Sequence, residues 1–429
     1  MNNKLEYLHL WNEDALHRVK ENHPRFTAID VGGFHEFVQD MTLAQWEQLG
    51  RDIANNVHVR HVAFHNNALG DIETICLFKG LRGSSSIKFL AVAMNGLSTA
   101  CVKSMLPFFS NAHNLQKLEL QDVNIQSEGF NTIVRILSDK PMESLSFSKC
   151  GIESIEIDLA FFPRTLKSLS LSKNKINAEG CKEVSKLLQV RDSTLTELVL
   201  RRNEIDDECV SILVDALRDN TSLVRLDLGE LSRKSETMLL KLVNDISTIE
   251  ATLQSNHTLK YFYLESAPYF TDEVIGHYIN LATDINIQNE SPEAAGREKL
   301  IRTQLHCLRR AQLSEIQGVG QSVSSEIEPH LLPEFLSLVG QCHGQGDVFA
   351  ALKASIAGVI SIVNRKQSVK KQLAHCASHL ESIKQQLAFY SARSNELSAE
   401  LEEIEAAEIG EVVDGVEDGP RSFKRTRLY

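Results

Sequence analysis

The chain has 429 residues, 42% hydrophobic and 24% charged, and its 45 Lys+Arg against 57 Asp+Glu give a formal net charge of -12. This composition allows one long domain or two to three smaller ones, and with only 6% aromatics the core must be mostly aliphatic. The acid surplus argues against a nucleic-acid binder, which needs excess Lys and Arg to neutralise phosphate.

The opening residues MNNKLEYLHLWNEDALHR lack an apolar stretch and carry acids early, so neither a secretory signal nor a transit peptide is expected. The longest apolar run, Ala354 to Val363, falls short of the roughly 17–25 residues a bilayer requires. No membrane association is expected, and the chain reads as intracellular, in the cytoplasm or nucleus. Eight cysteines without a CxxC pair fit reduced, buried thiols.

Internal repetition begins almost at once. Weak copies of a pattern LxxLxLxxN start at Leu5 and Phe26, clear ones at Val59, Ile87, Leu115, Met142, Leu166, Leu195 and Leu223, and a degenerate one at Leu259. The clear starts are separated by 28, 28, 27, 24, 29 and 28 residues. The x-L-x-L-x portion alternates with period two, which predicts a short strand with leucines on one face. An Asn three residues beyond the last strand leucine can both donate and accept where the chain bends inward. Cys150, Val123 and Leu231 occupy that place in three copies, where looser bends are expected. Segments such as INAEGCKEVSKLL and IDDECVSILVDALRDN then carry apolar residues at helical spacing. Each unit is therefore strand, turn, helix, and stacking the units gives an α/β solenoid with parallel strands inside and helices outside.

The run IDDECVSILVDALRDNTSLVRLDLG and the period near 28 residues resemble the ribonuclease-inhibitor-like branch of the leucine-rich-repeat proteins, from about Arg25 to Tyr269. The resemblance implies a horseshoe and a role in binding proteins, because the branch includes inhibitors, immune-receptor sensor domains and the Ran GTPase-activating proteins. Three places depart from it: the short unit Ile152–Arg164, the long unit Ser232–Thr258 and the irregular first copies.

The strand positions facing inward differ along the arc. Early repeats present His61, His65, Phe89 and Met94; the third presents Lys117, Glu119 and Gln121; two middle repeats present only serines, Ser144 to Ser148 and Ser168 to Ser172. Late repeats present Glu197, Arg201, Arg202, Arg225, Asp227, Tyr261 and Tyr263. Arginine and aromatic residues are the types enriched at binding hot spots, so Arg201, Arg202, Arg225, Tyr261 and Tyr263, with Phe89 and Met94, are the candidate partner-binding residues. An ordinary solvated face is the competing reading. No catalytic or metal constellation emerges, and no cofactor is expected. Gly80 to Ser86 lacks the GK[ST] ending of a phosphate loop, and Gly318-Val319-Gly320 reads as a turn.

Beyond Thr271 the strand pattern stops, and helices are expected over Ala294–Ile316 and Ile327–Val339 as a cap for the open end of the solenoid. The segment EIEPHLLPEFLSLVGQCHGQG resembles the C-terminal ends of algal proteins of this repeat class. A heptad follows with Leu373, Leu380, Leu387, Ser394 and Leu401 at position a and Cys376, Ile383, Tyr390, Leu397 and Ile404 at d, the signature of a coiled coil. Its seam is assigned to Leu373, Leu380, Ile383, Leu387, Leu397 and Leu401; a helix folded back on its own domain is the alternative. Cys376 occupies a seam position, so His375, Cys376 and His379 read as coil rather than as zinc ligands.

The expected organisation is an irregular N-terminal cap (1–55), leucine-rich repeats (56–270), a helical cap (271–345), a helical and coiled-coil segment (346–410) and an acidic then basic disordered tail (411–429). The expected function is a non-enzymatic scaffold that binds a protein or peptide on the concave face and forms a homodimer through the coil. A GTPase-activating regulator resembling the Ran GTPase-activating proteins is the alternative, with the essential arginine of that family not placed.

Overall fold

A computed structural model describes residues 13–32, 41–65, 69–263, 272–304 and 313–318, together with 370–404 except 371–372, 375–376 and 379. The copy at Leu5, the helix expected over 327–339, the algal-like segment and the tail lie outside the described residues. The chain divides into two units, Met1–Ser324 and Ser325–Tyr429.

In the first unit the described residues form nine parallel strands that follow one another in chain order. They are β1 (Ala28–Gly32), β2 (His61–His65), β3 (Phe89–Leu97), β4 (Lys117–Val123), β5 (Ser144–Ser148), β6 (Ser168–Ser170), β7 (Glu197–Val199), β8 (Arg225–Asp227) and β9 (Tyr261–Tyr263). The register aligns Leu90, Leu118, Leu145, Leu169, Leu198 and Leu226, all fully buried, in one row of the core. The irregular copy at Phe26 is a genuine repeat strand, with Ile29 opposite Val62.

Between the strands run α1 (Glu13–Lys20), α2 (Leu43–Asn55), α3 (Asp71–Leu81), α4 (Thr99–Asn111), α5 (Gln126–Ile136), α6 (Ala178–Leu188), α7 (Asp207–Leu217), α8 (Arg233–Val243) and α9 (Ile249–Leu253). Their starts are set by side-chain caps: Thr42 and Gln45 form a capping box, Asn177 accepts from Glu179 and Gly180, and Asp206 accepts from Cys209. Gly80, part of the segment that superficially suggested a phosphate loop, lies within α3. A Cβ there would stand 2.3 Å from the Glu47 carbonyl, and one on Gly50 would stand 2.2 Å from the Leu77 carbonyl, so both glycines are needed for α2 and α3 to approach.

The inward bend has a shared geometry. The residue before the Asn place is left-handed at Asp122, Lys149, Lys173 and Arg202, with φ between 55° and 58°. Asn174 donates to the Phe147 and Leu171 carbonyls at 2.7 and 2.9 Å and accepts from the Cys150 amide at 2.9 Å. Cys150 reproduces half of this role, its thiol donating to the Leu120 and Ser148 carbonyls at 3.3 and 3.4 Å. The looser bend expected at Cys150 and Val123 is therefore corrected: their preceding residues adopt the same φ as Lys173. In the Leu231 copy the left-handed residue is Gly229, φ 79°, one position earlier.

A second asparagine ladder lies on the opposite side, where each helix returns to the next strand. Asn220 donates to the Leu188 carbonyl and accepts from the Ser222 and Leu223 amides; Asn256 donates to the Leu217 and Asn220 carbonyls and accepts from Thr258 and Leu259. Asn56 does the same work at the first such return, between Val19 and Val59.

Two of the units whose lengths depart from the repeat also depart in structure. The long unit holds two helices, α8 and α9. The short unit has only a 3₁₀ turn, Leu159–Phe161, where others have a helix, so α5 and α6 have no intervening neighbour. A cavity of about 370 Å³ opens there, lined by Leu159, Phe162, Leu166, Leu187, Val190 and Leu195 among others.

The strand pattern gives way to α10 (Glu273–Gln288), α11 (Pro292–Lys299), a π-helical turn Leu300–Gln304 and a further helical turn at 313–317. Here α10 was not anticipated, and the helix expected over Ala294–Ile316 starts with α11 and continues into the π-helical turn. Asn286 in α10 donates to the Leu259 carbonyl at 2.6 Å, continuing the return-side ladder into the cap. The Lys299 ammonium is fully buried and donates to the Val243 carbonyl at 2.6 Å, the Asn256 carbonyl at 3.3 Å and His257 Nδ1 at 3.0 Å. Burial pushes its pKa well below the usual lysine value. His257 is held at about 4, by burial first and by the Lys299 charge second.

In the second unit, residues 380–404 are continuously helical, and the apolar seam is open to solvent: Leu373, Leu380, Ile383, Leu387, Leu397 and Leu401 are 49–70% exposed. No helix among the described residues is long and apolar enough to cross a membrane.

Candidate binding face

The strand register sorts the inward-facing side chains into rows. One row runs His61, Phe89, Lys117, Ser144, Ser168, Glu197, Arg225, Tyr261, each directly opposite the next. A second runs Asp30, Ala63, Ala91, Glu119, Ser146, Ser170, Val199, Asp227, Tyr263.

At the early end, register explains a pairing that the sequence left unstated. His61 and Phe89 stack with centroids 3.9 Å apart and planes 23° from parallel. Burial lowers the His61 pKa, and the nearby Asp30 charge opposes that shift. Phe89 itself is half-buried, while Ala63 and Ala91, its neighbours in the second row, are buried. Met94 follows the regular ladder at a register slip between Ala93 and Leu97, and its side chain lies outside the described residues.

The middle is a serine floor. Ser144 faces Ser168 and Ser146 faces Ser170, all partly exposed, and Ser172 donates to Ser148 at 3.1 Å. These short side chains leave room above the sheet.

The late end concentrates charge and aromatic surface. Arg225 sits between Glu197 and Tyr261 in the first row: its guanidinium carbon lies 5.5 Å from the Tyr261 ring centroid, and Nη1 is 3.8 Å from Glu197. Arg201, two residues beyond Val199, has Nε 3.8 Å from Asp227. Both arginine side chains are nearly half exposed, 44% for Arg201 and 49% for Arg225. Ion pairs of 3.8 Å are longer than hydrogen bonds, so these pairings orient the guanidiniums without using up their donors. Asp227 is held in place by burial and accepts from the Gly229 amide at 3.2 Å. Arg202 occupies the left-handed turn beyond the strand, exposed and apart from the two rows. Tyr261 is 37% exposed; the Tyr263 backbone continues the second row, and its side chain lies outside the described residues. Arg225 and Tyr261 are thus brought into contact, Arg201 lies beyond the end of β7 and reaches Asp227 of the second row, and Arg202 follows in the turn.

Of the described cysteines Cys76 is partly buried and Cys101, Cys150, Cys181 and Cys209 are buried, and burial raises the thiol pKa values of these four, to about 12 for Cys101 and Cys150. Such thiols are poor nucleophiles and poor metal ligands. Among the described residues no three His, Cys, Asp or Glu side chains converge on a point where a metal ion could sit. His375, Cys376 and His379 lie outside the described residues.

A family model described as Leucine Rich repeat matches residues 162–185 and 191–211. Human "NACHT, LRR and PYD domains-containing protein 13" is 27% identical over 193 residues, 42% of this chain and 18% of that protein. Mouse "Ribonuclease inhibitor" is 24% identical over 221 residues, 50% of this chain and 48% of that one. Among solved structures, "Leiomodin-1 Actin-Binding Site 2 (ABS2)" is 17% identical with a TM-score of 0.27, covering 31% of this chain and 76% of that chain. The chain therefore spans less than half the length of either curated relative.

Proposed function

Since the chain is a leucine-rich-repeat protein of the ribonuclease-inhibitor-like kind, we propose that it is a non-enzymatic interaction scaffold. It binds an acidic or phosphorylated protein segment at the late concave strands and self-associates through its C-terminal helix. The observation that carries this reading is the pair Arg201 and Arg225, one just beyond β7 and the other on β8, both exposed and held by loose ion pairs to Asp227 and Glu197, with Arg225 over the Tyr261 ring. Two guanidiniums with available donors suit a carboxylate or phosphate, and a tyrosine beside them adds flat apolar area. The adjoining serine floor gives a bound segment space to lie across the sheet.

The test begins with affinity capture on the full chain and identification of the captured protein by mass spectrometry. The binding constant is then compared with that of Arg201→Ala/Arg225→Ala. Loss of both side chains is expected to cost about 2 kcal/mol or more, roughly a 30-fold weakening, with the melting temperature nearly unchanged because both groups are exposed. Equal affinity would move the site to Phe89 and Met94. Stimulated GTP hydrolysis by any member of a small-GTPase panel would replace the scaffold reading with that of a GTPase-activating regulator.

A further inference from the structure

The helix at 380–404 carries an apolar stripe that is at least half exposed at nearly every seam position, with Leu380 58%, Ile383 53%, Leu387 70%, Tyr390 69%, Leu397 49% and Ile404 57% open. An isolated helix of this kind needs a partner to bury the stripe. Resting on the self-association proposed above, we infer that the partner is a second copy of the same helix running in the opposite direction.

Two features of the stripe select the antiparallel pairing. The first is its symmetry about a two-fold axis crossing between Ala388 and Phe389. Around that axis every a residue meets a d residue of the second copy: Leu380 meets Leu397, Ile383 meets Ser394, Leu387 meets Tyr390, and Leu373 at one end meets Ile404 at the other. The small Ser394 then packs against the branched Ile383, and Tyr390 against Leu387. In a parallel pair at zero offset the same positions would set Ser394 against Ser394 and Tyr390 against Tyr390, leaving a gap in one layer and crowding the next.

The second feature is charge. Lys370 and Lys384 lie in the first half of the helix, whereas Glu396, Glu400, Glu402 and Glu403 crowd the second. Lys384 and Arg393 make intrahelical pairs with Glu381 and Glu396 at 3.7 and 2.8 Å. Glu400, Glu402 and Glu403 have no basic residue within four positions on their own helix. A parallel dimer would align the two acidic halves, bringing Glu396, Glu400, Glu402 and Glu403 of one copy alongside the same residues of the other. The antiparallel dimer instead sets the acidic half of each copy along the half of the other that carries Lys370 and Lys384.

The test uses the full chain with Ile383→Cys and Ser394→Cys combined. These positions are eleven residues apart, about 16 Å along one helix, too far for an intrachain bond. Sedimentation first establishes the state of the wild type and the variant at micromolar concentration. Mild oxidation followed by digestion and mass spectrometry then identifies the disulfides formed. The expected result is a covalent dimer with residue 383 of each copy bonded to residue 394 of the other. Bonds of 383 to 383 and 394 to 394, or a proven dimer with no bond between 383 and 394, would overturn the antiparallel pairing while leaving self-association standing. A monomer would overturn both.

Discussion

The leucines that repeat at strand spacing differ in what they hold up, and Leu198 is a decisive one. It is fully buried between Leu169 and Leu226 on neighbouring strands. Leu198→Ala removes its burial and leaves a cavity, so chemical denaturation should show a loss of about 2–5 kcal/mol; a loss near zero would mean that the strand is wrongly registered. At the cap, His257 titrates in a window set by its own environment. Its ordinary pKa of 6.5 applies to the unfolded chain, and in the fold it falls to about 4 because burial and the Lys299 charge penalise the imidazolium. Between those values the unfolded chain binds the extra proton. Stability is therefore unaffected above about pH 6.5, declines as the pH falls from about 6.5 to about 4, by roughly 3 kcal/mol in all, and levels off below that. His257→Gln should melt with a shallower decline than the wild type over that range. Matching slopes would remove His257 as the cause. Lys299 and His257 were not legible in the sequence, because nothing in a lone lysine or histidine reveals that two carbonyls 43 to 56 residues away in the chain will enclose it.

At the scale of elements, the period-two leucines announced the strands, and the turn asparagines announced their ends. The second ladder was present in the sequence as Asn56-x-x-Val59, Asn220-x-x-Leu223 and Asn256-x-x-Leu259, but asparagine just before a strand also suits an ordinary loop. Only the fold shows that one buried side chain there closes two neighbouring repeats. Asn220→Ala should cost about 1–3 kcal/mol, since it strands the Leu188 carbonyl and two amides away from water. A surface control such as Asp219→Ala should cost far less, and equal effects would deny the ladder its role. The candidate face was legible in residue type but not in arrangement. Alternation alone put Arg201, Arg225 and Tyr261 inward, while the stacking of Arg225 on Tyr261 and of His61 on Phe89 depends on a register that only strand pairing defines. The α10 helix went unread because EVIGHYINLATDINIQ follows a degenerate strand whose neighbouring residues carry no repeat signal.

For the molecule as a whole, self-association would turn one concave face into two, and a partner bearing two acidic segments would gain from simultaneous engagement. Leu380→Glu/Leu387→Glu places charge in the seam and should convert a dimer into a monomer in sedimentation, while the thermal transition of the repeat unit stays where it was. A wild-type monomer at micromolar concentration would show instead that the helix does not pair with a second copy.

The 3₁₀ turn at Leu159–Phe161 bears on how the solenoid comes apart. In a stack where each repeat touches only its neighbours, cooperativity passes from one end to the other through every junction in turn, and its reach is limited by the weakest. Elsewhere the junctions are glued twice, by strand pairing and by helix packing. Between α5 and α6 the helix layer is broken, so the three aligned pairs of β5 and β6, no more than the later strands share, hold this joint without helix packing beside them. The repeats before and after this joint should behave as separable blocks in native-state hydrogen exchange, with α4 and α5 opening at one free energy and α6 and α7 at another. A single shared opening energy across the joint would show that the strand ladder alone transmits the coupling. If two energies are found, the late concave strands that bear Arg201 and Arg225 can remain folded while the early ones fray, and a partner bound there would stabilise its own block without reaching the other.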